Sequence, residues 1–250
     1  MKYLLLGCAF WCSQLSANMA CPSTLRMAYN TNWLPYVRVT HDTVSGTDIE
    51  LVRALARKLG ASLQLVQMTE QRALQQLQQG ELDLLFAASY TKERAAYAYF
   101  SSPYREESIT AVVHRELLAQ QPELTNSAEF YQLAAKRWSG AINTAGYYGD
   151  EFEHFKLNQG QNRLFHVSEE LRRLQMVAQG RAQYSLVDPL VAHYHISQHP
   201  EPSVLQLLPF MLHRNTIHLM LSKKTISPLC LVQLDQQLKI QLSQQTASEQ

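Results

Sequence analysis

Charge of one sign is what this chain lacks: 22 Lys and Arg stand against 21 Asp and Glu, for a formal net charge of +1 at pH 7. That balance supplies no electrostatic basis for binding nucleic acid or an anionic membrane surface, so a partner has to be argued from a site. Long polar tracts, internal repeats, low-complexity linkers and charge runs are missing too. With hydrophobic residues at 46% and charged residues at 17%, the composition is that of a folded protein and excludes a disordered one. Cysteine is scarce: of four, Cys8 and Cys12 lie in the first twenty residues, leaving Cys21 and Cys230. In an oxidising compartment these two are either a disulfide or two separate buried thiols.

What is present begins with a targeting segment. Lys2 supplies a minimal positive end, Tyr3 to Trp11 an apolar stretch, and Ser16 to Ala20 a mostly small or polar run, the pattern of a secretory signal peptide over residues 1–20. The segment is too short to span a bilayer stably. Cleavage fits after Ala17 or after Ala20, and the expected location is the periplasm. A cut before Cys21 would also suit a lipid anchor on that cysteine, although Asn18 and Met19 depart from the small-residue box such anchoring uses.

From Cys21 onward short apolar runs alternate with amphipathic stretches, the pattern of strands joined by helices around mainly parallel sheets. Leu25 to Tyr29 reads as the first strand. Ile49, Val52, Leu55, Ala56 and Leu59 share one helical face, with Gly60 at the stop. A strand at Leu63 to Val66, a helix at Glu70 to Gln79 ended by Gly80, and an apolar strand at Leu82 to Ala88 follow. Thr91 can cap the next helix. The cycle restarts near Ile109, with strands at Ile109 to Val113, Ser139 to Asn143, Arg163 to Val167 and Tyr184 to Val187. Helices are expected at Tyr147 to Leu157, Ser168 to Gln179, Pro189 to Ser197 and Ser227 to Ser243, with a strand-like stretch from Ser203 to Leu221. Without a linker, the 250 residues form one large domain, or two lobes of about 100 residues joined by strands that cross between them.

Five segments carry a family resemblance: LRMAYNTNWLPY (25–36), GTDIELVRALARKL (46–59), LQQGELD (77–83), TKER (91–94) with FSSPY (100–104), and GRAQYSLVDP (180–189). In this order and spacing the chain resembles the extracellular solute-binding proteins, family 3, that serve polar amino-acid ABC transporters. The resemblance implies an α/β, two-lobe, periplasmic-binding-protein-like fold (type II) with the ligand in the inter-lobe cleft. Its lobes would be 21–112 with 206–250, and 113–205. It also implies a monomer that delivers an L-amino acid or a derivative to an inner-membrane ABC permease, and it calls for no cofactor or metal.

A desolvated amino-acid zwitterion needs a charged partner at each end. By the resemblance, Arg94 is the carboxylate clamp, its planar fork suited to both oxygens, with Ser89 beside it and Thr144, in the loop NTAG (143–146), opposite. Asp188, at a strand end before Pro189, is the ammonium partner and equally a helix cap. Trp33 and Tyr36 would form an aromatic shelf, with Asn30 where relatives often carry an acid. Glu70 departs from the second aromatic expected there; it would favour a cationic or hydrogen-bonding side chain, or else serve its own helix dipole.

Other classes have thinner support. Ser89-Tyr90-Thr91-Lys92 has the form S-x-x-K, yet the companion S-D-N and K-T-G motifs of acylating enzymes are missing, Lys224-Thr225 being followed by Ile226. His193 and His195 are two apart on a helix and point in different directions, which with His199 argues against a metal site. The alternatives that fold alone leave open are an enzyme resembling the cyclohexadienyl dehydratases of this fold and a sensory binding domain without a transporter.

Overall fold

The computed structural model describes residues 21–198 and 204–248; the segment read as a signal peptide lies outside them. In chain order the elements open with β1 (Thr24–Tyr29), a small hairpin of β2 (Arg38–Val39) and β3 (Val44–Ser45), α1 (Thr47–Lys58), β4 (Ser62–Gln67), α2 (Glu70–Gln79), β5 (Leu84–Ser89), α3 (Lys92–Tyr97) and β6 (Ala98–Phe100). They continue with β7 (Arg105–His114), α4 (Arg115–Ala119), α5 (Ser127–Lys136), β8 (Gly140–Ile142), α6 (Asp150–Phe155), β9 (Leu164–His166) and α7 (Glu170–Ala178). The last are β10 (Tyr184–Val187), α8 (Pro189–Ser197), β11 (Leu205–Leu207), β12 (His213–Ser222) and α9 (Pro228–Ser248).

Local chemistry explains the key elements. In α1 the buried Ile49, Val52, Leu55 and Ala56 recur at helical spacing, with Asp48 and Glu50 in the first turn and Arg57 and Lys58 in the last, matching the dipole. Gly46 just before it has φ 116°, and a Cβ there would lie 2.3 Å from the Tyr36 carbonyl oxygen. Only glycine lets Tyr36 pass so close to the start of α1. Gly80 ends α2 in a left-handed conformation, as the sequence anticipates. Asp83, the polar residue in an apolar run, is buried and receives Arg26 N at 2.8 Å, Nε at 2.9 Å and Nη2 at 2.8 Å. Burial alone would raise its carboxyl, but these bonds from Arg26 outweigh it and hold the group below the usual carboxylate range.

The strands follow one path, β4-β1-β5-β12-β7-β10-β8-β9, with β6 on β12 and β11 on β7. The outer pairs β1/β4, β1/β5, β10/β8 and β8/β9 are parallel. The centre is antiparallel, because β7 and β12 pass between two halves of the sheet in opposite directions. Residues 105–109 of β7 pair with 213–217 of β12; beyond that overlap, β7 joins β10 and β11, whereas β12 joins β5 and β6. The sheet is therefore mixed. The boundaries read from sequence, at 112/113 and 205/206, fall inside β7 and β11, while the change of strand partners lies near Ile109 and Ile217. Around the first half Leu25, Met27, Ile49, Leu84 and Leu219 pack against α1 and α9. In the second, Phe130, Trp138, Phe152 and Tyr184 form an aromatic core, and β10 is buried along its whole length.

Cys21 and Cys230 form a disulfide across 209 residues of sequence, tying the start of the described chain to α9. Opening so long a loop costs about 2–5 kcal/mol of stability. We expect Cys230→Ala to lower unfolding free energy by that amount in urea titrations. Intact mass of the natural protein should be about two hydrogens below the dithiol value, with no alkylation; free thiols at both positions would reject the pairing.

Candidate functional site

A cavity of about 210 Å³ opens where the two halves meet, walled by the ends of β1 and β5, by Arg94, by Glu107 on β7, by the 143–148 loop, and by Glu170, Arg173 and Asp188. It is smaller than the roughly 300–1,000 Å³ of sites for drug-sized ligands, so it suits a small molecule.

Arg94 reaches this cavity because of how α3 starts. Thr91 Oγ1 accepts the Arg94 amide at 3.1 Å, fixing the first turn. The guanidinium then donates through Nη1 to the Ser89 carbonyl at 3.1 Å and through Nη2 to the Ala145 carbonyl, in the other half, at 3.0 Å. Burial lowers its pKa somewhat without threatening its charge. Among the described residues no carboxylate pairs with it. Ser89 is buried at the end of β5 and lines the cavity; Thr144 is exposed and outside the lining, its place taken by its neighbours Asn143, Ala145 and Gly146.

Asp188 ends β10 and caps α8. Its Oδ1 accepts the amides of Leu190 at 2.8 Å and Val191 at 3.3 Å, and Pro189 in the first turn needs no acceptor. Oδ2 accepts the Tyr36 hydroxyl at 3.2 Å, from 152 residues away. Tyr36 itself is buried and not part of the cavity lining, and it stands behind Asp188. Its ring lies 4.6 Å from that of Trp33, which does line the cavity, and carries the Arg105 guanidinium 3.7 Å above its centroid.

Arg105 is fixed by a buried acid. Its Nη2 lies 3.2 Å from Asp48 Oδ2 and its Nε 3.3 Å from Oδ1, and the Tyr104 hydroxyl donates to Oδ2 at 2.8 Å. Burial raises the Asp48 carboxyl above its ordinary value, opposed by Arg105. The Tyr104 oxygen also accepts the Ala87 amide at 3.0 Å. Ala87, on the cavity wall, has φ 52°, a left-handed conformation that alanine adopts only when its surroundings hold it there.

Glu70 and Asn30 line the cavity together, Asn30 Nδ2 donating to both carboxylate oxygens at 3.1 Å. Three further charged residues that no sequence motif singles out line the cavity. Glu107 sits on the crossing strand; burial is the main cause that pushes its carboxyl up to about 7. Glu170 and Arg173 form a buried ion pair on α7, and Arg173 Nη1 donates to the carbonyls of Val167 at 2.8 Å and Ser168 at 3.1 Å. Positions 170, 173, 174 and 177 share one buried helix face, a spacing signal that could have revealed the pair. Among the described residues no group of His, Cys, Asp and Glu is arranged to hold a metal, and no helix is long and apolar enough to cross a membrane.

The family model described as bacterial extracellular solute-binding proteins, family 3, matches residues 25–226. No curated protein matches the chain in sequence. Among solved structures, a P235GK mutant of ArgBP from T. maritima is similar at 17% identity with a TM-score of 0.73, covering 91% of this chain and 92% of that one. AbpA, an amino acid ABC transporter substrate-binding protein from Streptococcus pneumoniae bound to L-arginine, is similar at 18% identity, TM-score 0.72, over 90% of both chains. The ancestral amino acid-binding protein AncCDT-1, a precursor of cyclohexadienyl dehydratase, is similar at 21% identity, TM-score 0.73, over 91% and 93%.

The dual engagement of Asp188 can be tested without a ligand. Asp188→Ala should cost about 1 kcal/mol or somewhat more through the lost helix cap, while Asp188→Asn should keep most of it. Chemical denaturation of both variants measures this, and equal stability of the alanine variant and the natural protein would contradict the capping role.

Proposed function

Because this chain belongs to the bacterial extracellular solute-binding proteins, family 3, we propose that its solute is a free L-α-amino acid, enclosed between two lobes. The observation that carries this reading is the convergence of Arg94 and Asp188 on one small cavity from opposite halves of the sheet. Arg94 offers a bidentate cation for the α-carboxylate, and Asp188 an anion for the α-ammonium. Ser89, Asn143 and Gly146 border the carboxylate end; Trp33 supplies an apolar wall for the side chain. The lobes pivot on β7 and β12 where these change strand partners, so closure brings Arg94 and Asp188 onto the same ligand.

Leaving Glu107 aside, the lining holds Glu70, Glu170 and Asp188 against Arg94 and Arg173. A zwitterion does not change that acidic excess, so a positively charged side chain is favoured, in keeping with the arginine in the AbpA structure. The protein works in the periplasm as a monomer that hands its ligand unchanged to an ABC permease. Cys21 carries no lipid in this reading, since its sulfur is already bonded to Cys230.

In a thermal-shift screen of L-amino acids and derivatives, a few related compounds should raise the melting temperature, the gain being about 2.7 kcal/mol at a hundred times Kd. D-enantiomers should do far less. Arg94→Ala should weaken the best ligand by about 2–5 kcal/mol, thirtyfold or more, with the fold retained; Asp188→Asn should weaken it more than its desamino analogue. Normal binding by Arg94→Ala would move the site, and chemical turnover of the hit would replace binding by enzymatic action.

A further inference from the structure

The crossing strands carry a carboxylate that the amino-acid reading leaves unused. Asp188 is engaged by a helix start and Tyr36, Glu70 by Asn30, and Glu170 by Arg173. The side-chain carboxyl of Glu107, on the same cavity, has no hydrogen bond and no ion pair among the described residues. Directly opposite it in the β7/β12 register stands Asn215. Residues so paired in an antiparallel ladder project from the same face with Cβ atoms about 4.5–5.5 Å apart. The Asn215 Nδ2 is buried and has no acceptor. Such an unpartnered donor is uncommon in a folded interior and asks for an explanation. The two strands that join the halves thus bring an unused carboxylate and an unused amide to one spot.

We propose that Glu107, flanked by Asn215, is the specificity-determining position for a second positively charged, hydrogen-donating group on the ligand, and that it gives up a proton when that group binds. The proposal rests on the amino-acid reading, in which Arg94 and Asp188 take the backbone ends of the ligand. The proton balance is simple: the neutral carboxyl loses H⁺ to solvent, and the carboxylate left behind pairs with the ligand's guanidinium or ammonium, which keeps its own charge. The Asn215 amide then has a carboxylate to which it can donate.

The electrostatic surroundings fit this exchange. Burial pushes the Glu107 carboxyl up to about 7; Arg105 on its own strand opposes this, while Asp188 before α8, Asp48 on α1 and Glu170 on α7 add to it. Arg105 is itself held by Asp48. From β12 the neighbouring titratable groups are His213, which burial holds below its ordinary value, and the exposed Arg214. Glu107 is therefore a cavity group whose charge can change around neutrality. A cation bound beside it favours the ionised form, so affinity must rise with pH until Glu107 is already ionised in the free protein.

The test compares L-arginine with its uncharged isostere L-citrulline by isothermal titration at pH 6 and pH 8, in two buffers of different ionisation enthalpy. With a free-protein value of about 7, arginine should bind about tenfold more weakly at pH 6 than at pH 8, releasing up to one proton, while citrulline changes little. In Glu107→Gln, checked for folding by its melting curve, the pH dependence should vanish and the preference for arginine over citrulline should fall at least tenfold. The arm on the unaltered protein stands even if this variant fails to fold. Arginine affinity that is flat between pH 6 and 8, or equal losses of both ligands in Glu107→Gln, would overturn the assignment to Glu107 alone. Binding of neither compound at either pH would overturn this proposal, while the amino-acid reading falls only if no L-amino acid in the thermal-shift screen stabilises the protein.

Discussion

A carboxylate that has left water must be given its partners by the protein, and at Asp48 this requirement organises the centre of the molecule. Its two oxygens take Arg105 from the crossing strand and Tyr104 from just before it. Removing one partner of such a buried pair typically costs about 3–5 kcal/mol, because the remaining charge is stranded. The network spreads outward from there. Arg105 rests on Tyr36, Tyr36 reaches Asp188 in the other half, and Tyr104 accepts the amide of Ala87. One buried acid at the start of α1 thus fixes the overlap of β7 with β12, the unusual backbone of the β5 end and the orientation of the cavity's second-half acid.

Elements whose sequence pattern is local were legible. The spacing of Ile49, Val52 and Leu55 gave α1, Gly80 marked the stop of α2, and the Thr91 cap is present as expected. Asp188 was read as both a helix cap and a cavity acid, and it occupies a position that permits both. Regions dominated by partners far away in sequence were harder to read. The apolar pattern marks β7 only from Ile109, because Arg105, Glu106 and Glu107 are charged and their strand pairing comes from β12. α5 is absent from the expected elements although Asn126 caps it and Phe130, Leu133 and Ala134 mark its buried face, while the β2/β3 hairpin is too short to leave a period.

The site shows the same division. Arg94, Ser89, Asp188, Asn30, Trp33 and Glu70 do line one cavity. Tyr36 could not be placed from sequence, since its hydroxyl is committed to a residue 152 positions away, and the exposure of Thr144 depends on which way a short loop turns. Glu107 lies on a crossing strand whose surroundings come from both halves, whereas Glu170 and Arg173 lie on the buried face of α7, where helical spacing is the available signal. Burial raises the carboxyls of Glu107 and Glu170.

The guanidinium of Arg94 is not idle in this structure, for two backbone carbonyls, one from each half, already accept its protons. In the proposed reading, a carboxylate entering the cavity meets a guanidinium with two of its five N–H donors already committed, so a bidentate grip that uses those two is an exchange of acceptors. What drives the exchange is the difference between charge-assisted and neutral hydrogen bonds, the former roughly twice as strong. The Ala145 carbonyl bridges the two halves through Arg94, and in the proposed reading the same contact discounts the affinity of any acid that displaces it. A molecule offering only a neutral carbonyl gains less from such a swap, so under the proposed function the latch favours anionic ligand ends.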